Sequence, residues 1–354
     1  MGNYCIILAG GIGARLWPAS QTDKPKQFID FLGTGRTLLQ STFDRMTRLF
    51  PTENILVSTH VDYREIAAEQ LPELPAENIL AEPVRRGTLP GSFFANQVIL
   101  ERDEDACVLC SPSDQLVMRE HEFEADVKAS LEFVAKHKCP LNMGVTPTRP
   151  DTFYGYVQIG KAMRGEKDFY SVKAFTEKPD RQFAQMFVES GEFYWNTGIN
   201  LWHARTMCDD LCRIEPDYAH RLMQEVERTG EKVSTIVERH FGVLRNMSLD
   251  LTIQDRLSPV AMRICHFGWA DMGSWHSMHD DLPADQNGNV SLHSKALLYG
   301  CSGNVIKMPH GMTLVMQDIH DKVVVEENGI LLIAPKDNYA EMRRVMTDAQ
   351  MKLQ

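Results

Sequence analysis

No apolar run among the 354 residues approaches the roughly 20 that a helix needs to cross a bilayer. The first residues enter the strand-like segment Tyr4–Leu8 with neither a basic leader nor a small-residue cleavage site, so the expectation is a cytoplasmic chain with no membrane partner. Basic residues are also in deficit: 37 Lys and Arg stand against 48 Asp and Glu, for a net charge of −11. A broad nucleic-acid interface needs many cations to displace phosphate counterions, and this balance argues against one. A small phosphorylated ligand stays within reach, because a few local cations and backbone N–H groups suffice to hold it. Of the eight cysteines, two pairs have suggestive spacing, Cys107-Val-Leu-Cys110 and Cys208-Asp-Asp-Leu-Cys212. Alternation turns Cys107 and Cys110 to opposite faces of the apolar run Ala106–Cys110, and Cys208 and Cys212 fall in a helical stretch, so buried thiols are expected.

What is present reads as an ordinary globular chain, with 43% hydrophobic and 24% charged residues. Strand-like runs at Tyr4–Leu8, Asn54–Thr59, Asn78–Ala81 and Ala106–Cys110 alternate with helical patterns at Thr37–Leu49, His60–Leu71, Gly91–Leu100 and Glu120–His137. That alternation predicts an α/β fold with an open, Rossmann-like sheet, whose ligands bind beyond the carboxyl ends of the strands. Beyond Val145 the spacing predicts strands at Tyr154–Ile159, Tyr170–Thr176 and Gly198–His203. Helices are expected at Arg181–Ser190 and over Ala204–Arg228, with a break near Pro216. Short strands punctuated by glycines fill Asn287–Pro335, and Asn338–Met351 closes the chain as a helix. The acidic, turn-rich stretch Asp280–Asn289 predicts a boundary between a large domain over 1–283 and a small β-rich domain over 284–354.

Gly10, Gly11 and Gly13 stand at the end of the first strand, where glycine lets the backbone approach a ligand and aim successive N–H groups at phosphate oxygens. The segment lacks the Lys-Ser/Thr pair of an ATPase loop, and Leu16 occupies the place of the third glycine in a dinucleotide fingerprint. Arg15, Lys24 and Lys26 follow closely and supply charge-assisted donors suited to a triphosphate.

Leu8–Ser20 with Lys24–Phe28 resembles the signature of the mannose-1-phosphate guanylyltransferases, within the sugar-1-phosphate nucleotidyltransferase superfamily. The resemblance continues through Glu82-Pro83 with Arg86, Thr88 and Pro90, then Pro147–Pro150 with Gly155 and Tyr156. Phe175–Pro179, Trp195–Gly198 and Gly268–Trp275 extend it, so that it spans about residues 4–280. It implies the nucleotide-diphospho-sugar transferase type of mixed open sheet, followed by a small left-handed β-helix-like region and an expectation of homodimers. It also implies that GTP and mannose 1-phosphate are the small-molecule substrates and that a magnesium ion, or another divalent cation, is the cofactor.

The same resemblance assigns roles by position. Leu8, Ala9, Gly10, Gly11 and Gly13 wrap the nucleotide together with Lys24, Glu82, Arg86 and Thr88. Arg15 activates the triphosphate and Lys26 contacts phosphate. Lys178 holds the sugar 1-phosphate, while Gly155, Glu177 and Asn196 belong to the sugar side. Asp114 and Asp271 carry the metal, with Asp114 counted also at the nucleotide. Lys178, preceding Pro179, is expected in an extended conformation. The implied reaction is attack by a phosphate oxygen on the α-phosphorus of the triphosphate, which needs alignment and charge neutralisation rather than a general base.

Two departures stand out. Where the family shows Gly-Arg-Asn-Thr-Ala-Pro, this chain has Arg85-Arg86-Gly87-Thr88-Leu89-Pro90, which loses an amide near the expected base. Gln115 replaces a histidine after the metal aspartate. These leave open a different sugar 1-phosphate (heptose, fucose or glucose) or a non-catalytic regulatory paralogue. A dinucleotide oxidoreductase shares the fold class but requires the missing third glycine.

Overall fold

The computed structural model describes residues 2–257 and 259–353. Its strands are β1 (Asn3–Leu8), β2 (Ile55–His60), β3 (Ile79–Glu82), β4 (Cys107–Pro112), β5 (Gln115–Val117), β6 (Leu141–Val145), β7 (Tyr156–Ala162), β8 (Phe169–Thr176), β9 (Phe193–His203), β10 (Ala261–Cys265), β11 (Trp269–Asp271), β12 (Val290–Ser291), β13 (Lys295–Tyr299), β14 (Val305–Lys307), β15 (Thr313–Gln317), β16 (Lys322–Glu327) and β17 (Ile330–Pro335). Its helices are α1 (Leu38–Thr47), α2 (Arg64–Gln70), α3 (Thr88–Leu100), α4 (Glu120–His137), α5 (Arg181–Ser190), α6 (Ala204–Ile214), α7 (Pro216–Thr229), α8 (Val233–His240), α9 (Leu249–Arg256), α10 (Trp275–Asp281) and α11 (Tyr339–Leu353). The chain divides into two compact units, the first comprising Met1–Gly10, Phe43–Pro112 and Val117–Trp269, and the second Gly11–Thr42, Ser113–Leu116 and Ala270–Gln354.

The first unit is a mixed α/β body around a nine-stranded sheet in the order β3-β2-β1-β4-β9-β6-β10-β8-β7. β1, β2, β3 and β4 run parallel, in a register that sets Leu8 opposite both Ser58 and Pro112, and His60 opposite Glu82. Their carboxyl ends therefore lie side by side, the place where open α/β sheets hold ligands. β9 turns the sheet antiparallel, pairing with β4 on one side and β6 on the other. β1, β2 and β4 are buried along nearly their whole length, as expected for strands covered on both faces. α3 carries apolar residues around its whole circumference and is buried accordingly, packing Phe93 and Phe94 with Trp202, Ile236 and Phe241.

The second unit has its own core, in which Leu16, Trp17 and Phe31 pack with Met272, Trp275, Val305, Val323 and Met342. Its carboxyl-terminal part is β-rich. β12, β14 and β16 stack in parallel, with Val290, Val305 and Val323 in register, and β13 pairs in parallel with β15. β17 folds back antiparallel on β16 through Asn328 and Gly329, both at positive φ, as a two-residue hairpin requires. Among the described residues no helix is long and apolar enough to cross a membrane. The cysteines are all free, and Cys107 and Cys110 lie buried in β4.

Candidate active site

The glycine loop leaves β1 anchored by the backbone of β2: Ala9 N–H donates to the Ser58 carbonyl at 2.8 Å, and Thr59 Oγ1 donates to the Ala9 carbonyl at 2.9 Å. Gly13 has φ 61°, and a Cβ there would lie 2.2 Å from Ser20 Oγ, so only glycine fits. Ser20 Oγ accepts from Lys26 N–H at 2.9 Å, and Gln27 Nε2 donates to the Gly11 carbonyl at 2.8 Å. The loop is thus tied to the Ser20–Gln27 segment, while Gly11 stays exposed with nothing within 4 Å of its missing side chain. Lys24 is exposed and Arg15 half-buried.

β5 and β11 pair with each other, and this small ribbon explains how two aspartates far apart in sequence meet. Asp114 precedes β5 and Asp271 ends β11. Lys26, only 7% exposed, donates from Nζ to the Met272 carbonyl at 3.0 Å and lies 2.7 Å from Asp114 Oδ2 and 4.0 Å from Asp271 Oδ1. Burial raises the Asp271 carboxyl above its ordinary value; Lys26 opposes that shift, Asp114 adds to it, and Arg15 opposes it. A Cβ on Gly273 would sit 2.4 Å from Asp271 Oδ2 and 3.1 Å from Arg15 Nη2, so this glycine keeps the corner open for both side chains. Lys26, Asp114, Asp271 and Arg15 form one charged group within the second unit.

In the first unit, Glu82 at the end of β3 is 8% exposed and accepts from Ser58 Oγ at 2.7 Å. Burial pushes its carboxyl up to about 7, against the pull of the Ser58 hydrogen bond and of Arg85. The following turn is stapled to residues 242–249. Met247 N–H donates to the Arg86 carbonyl at 3.0 Å, and Leu89 N–H to the Met247 carbonyl at 3.1 Å. Arg86 Nη2 donates to the Gly242 carbonyl, and Leu249 N–H to Thr88 Oγ1 at 2.8 Å. Gly87 sits at φ 82° and ψ −176°, where a Cβ would lie 2.5 Å from the Met247 carbonyl oxygen. The departure at Gly87 is therefore a backbone requirement of this chain as well as a lost amide.

Lys178 corrects one expectation. It adopts φ 46°, in the left-handed region, rather than an extended conformation. The clash imposed by Pro179 disfavours the right-handed region and leaves other turns open; here the chain must bend between β8 and α5. Its Nζ lies 2.8 Å from Glu177 Oε1, and both side chains are exposed to solvent. Gly155 makes room for the neighbouring carboxylate, since a Cβ there would lie 2.9 Å from Glu177 Oε2. Asn196 N–H donates to the Gly155 carbonyl at 2.8 Å, joining this turn to β9.

Sequence reasoning passed over the polar network behind Asn196. Asn142 on β6 and Asn200 on β9 are fully buried, and both bond with Asn196 or its partner Asp250 on α9. An asparagine inside the apolar run Leu141–Val145 was the available signal. Trp195 and Trp269, 3% and 8% exposed, pack edge-on against Tyr154. The Arg149 guanidinium lies over Trp195 and is held by Asp151 at 2.8 Å.

The nucleotidyl transferase family model matches residues 4–288. A mannose-1-phosphate guanylyltransferase of Salmonella muenchen is 31% identical over 96% of this chain and 72% of its own length. A protein of the same name from Escherichia coli K12 is 29% identical over 97% of this chain and 72% of its own. A Thermus thermophilus structure, described as a mannose-1-phosphate geranyltransferase, superposes with a TM-score of 0.86 at 26% identity, covering 99% of this chain and all of that one.

Proposed function

Since the chain belongs to the nucleotidyl transferase family, in the group represented by relatives named mannose-1-phosphate guanylyltransferase, we propose that it transfers GMP from GTP to α-D-mannose 1-phosphate, giving GDP-mannose and pyrophosphate. The observation that carries this reading is the convergence of Asp114 and Asp271 on Lys26, beside Arg15, at the end of a glycine loop.

A phosphate oxygen of the sugar phosphate forms a bond to the α-phosphorus, and the bond from that phosphorus to the pyrophosphate oxygen breaks. The nucleophile is already anionic, so no proton must be removed. Exposed N–H groups of the glycine loop, Arg15 and Lys26 serve the triphosphate; Lys178 serves the sugar phosphate; Gly155, Glu177 and Asn196 serve the sugar. Lys24, Glu82, Arg86 and Thr88 belong to the nucleotide side.

Asp114 and Asp271 fit a magnesium ion. Both carboxylates already face one cation, and among the described residues no third His, Cys, Asp or Glu joins them, which suits an ion that completes its shell with water and phosphate oxygens. When bound, the ion neutralises charge on the triphosphate and on the leaving pyrophosphate. We further read residues 1–283 as the catalytic domain and the parallel strands of 284–354 as a short left-handed β-helix, in a cytoplasmic protein that forms homodimers.

The test is pyrophosphate release from purified protein with Mg²⁺, mannose 1-phosphate and each of GTP, ATP, UTP, CTP and dTTP in turn. Release with GTP alone is expected. Release with another nucleotide, or only with glucose, fucose or heptose 1-phosphate, would replace the substrate assignment, and no release with any pair would make the chain a non-catalytic relative.

A further inference from the structure

The side-chain amide of Asn196 is held in one orientation by a closed set of partners. Its Oδ1 accepts from the Gly198 N–H at 3.0 Å and from Asn142 Nδ2 at 2.6 Å. Because a backbone N–H can only donate, the atom facing Gly198 has to be the oxygen. At the other end, Nδ2 donates to Asp250 Oδ1 at 3.1 Å. A carboxylate can only accept, so the two ends of the amide agree on one rotamer. The same Asp250 oxygen accepts from Asn200 Nδ2 at 3.0 Å, and Asn200 Oδ1 accepts from Asn142 Nδ2 at 3.0 Å. Three asparagines on two paired strands are thereby locked to one aspartate in the first turn of α9.

Among the described residues, this matching of donors to acceptors leaves Asn196 with both lone pairs used and one N–H free. We propose that Asp250 is a positioning residue for the sugar phosphate, fixing Asn196 so that it presents an N–H donor, and never its carbonyl, to a sugar hydroxyl. The inference rests on the reading that Asn196 meets the sugar. It makes that hydroxyl an acceptor at Asn196, while the neighbouring Glu177 takes a hydroxyl as donor. Burial raises the Asp250 carboxyl, the Asn200 and Asn196 donors hold it down, and the Glu177 charge adds a smaller upward push. Without Asp250 the Asn196 amide loses the acceptor that restrains its NH₂ end, and the free N–H is no longer aimed.

Steady-state kinetics on full-length Asp250→Ala, Asp250→Asn, Asn196→Ala and the double variant Asp250→Ala/Asn196→Ala test this, with thermal melting of each. Asp250→Ala should raise KM for mannose 1-phosphate about tenfold, the scale of one misdirected hydrogen bond, with KM for GTP and kcat changed less than about twofold. Asp250→Asn, whose amide oxygen accepts from the same two donors, should recover most of that loss. The double variant should bind mannose 1-phosphate no worse than Asn196→Ala alone, because the two residues act as a unit. Additive losses, equal effects on both substrates, or an unchanged KM in Asp250→Ala would overturn the positioning role. If Asp250→Ala does not fold, Asp250→Ser, too short to reach both amides, carries the same expectations. Turnover by the unaltered protein with Asp250→Ala indistinguishable from it would sink this inference alone, whereas no turnover by the unaltered protein would sink the transferase reading and this inference together.

Discussion

The charged group of Lys26, Asp114, Asp271 and Arg15 and the amide network of Asn142, Asn196, Asn200 and Asp250 solve different problems with different materials. The first is built on loops and on a two-stranded ribbon, from full charges that partly cancel one another. Such a group is expected to exchange partners when a polyanion arrives, since Lys26 is held by carboxylates that a metal also wants. The second joins three neutral amides on paired central strands, with Asn142 opposite Asn200, to the Asp250 carboxyl on α9. It has little freedom, and that stiffness suits the proposed contact with one sugar hydroxyl.

Changes that break the comparison should follow that division. Asp114→Asn or Asp271→Asn should lower turnover by about a thousandfold or more with the melting temperature nearly unchanged, measured by pyrophosphate release; a loss under tenfold would remove the acidic pair from the chemistry. Gly87→Ala should cost about 2–4 kcal/mol in denaturant unfolding, from positive φ and the clash with the Met247 carbonyl. Lys26→Met leaves two carboxylates without their cation and should cost about 2 kcal/mol, of which added Mg²⁺ restores part.

The smallest effect is pH-dependent. Burial holds the Glu82 carboxyl at about 7 against an ordinary 4.5, so the folded chain binds that proton more tightly than the unfolded chain. The stabilisation is complete below about 4.5 and is lost as pH rises through about 7. Glu82→Gln should therefore gain about 1–2 kcal/mol on the unaltered protein between pH 5 and pH 8.5. A constant difference across that range would mean that Glu82 is ionised throughout.

Much of the fold was legible where a local signal had a local cause. α5 begins and ends where the pattern predicts because the Asp180 side chain accepts from Gln182 N–H and Phe183 N–H, and Gly191 closes the helix at φ 68°. α4 likewise spans the predicted Glu120–His137. β9 starts earlier than its apolar run, at Phe193, because Asn196 and Thr197 bond across to Asn142 and Met143 of β6 and so belong in the sheet despite breaking the pattern. β10, α8 and α9 escaped a local reading. The position of β10 between β6 and β8 is a long-range pairing that no spacing announces.

The candidate site divided in the same way. The glycine loop and both aspartates stood out through motif and resemblance, whereas Asp250 is an ordinary acidic residue in a first helical turn until β9 brings Asn196 and Asn200 to it. Gly87 looked like a missing amide because φ is invisible in a string of letters.

The division of labour is tested most directly by measuring both Michaelis constants and kcat for Arg15→Ala and Asn196→Ala side by side. A crossed pattern is predicted: Asn196→Ala raises KM for mannose 1-phosphate about tenfold with little effect on GTP, and Arg15→Ala lowers kcat or weakens GTP with little effect on the KM for mannose 1-phosphate. If each variant shifted the constants of both substrates alike, the charged group and the amide network would not have the separate tasks assigned to them.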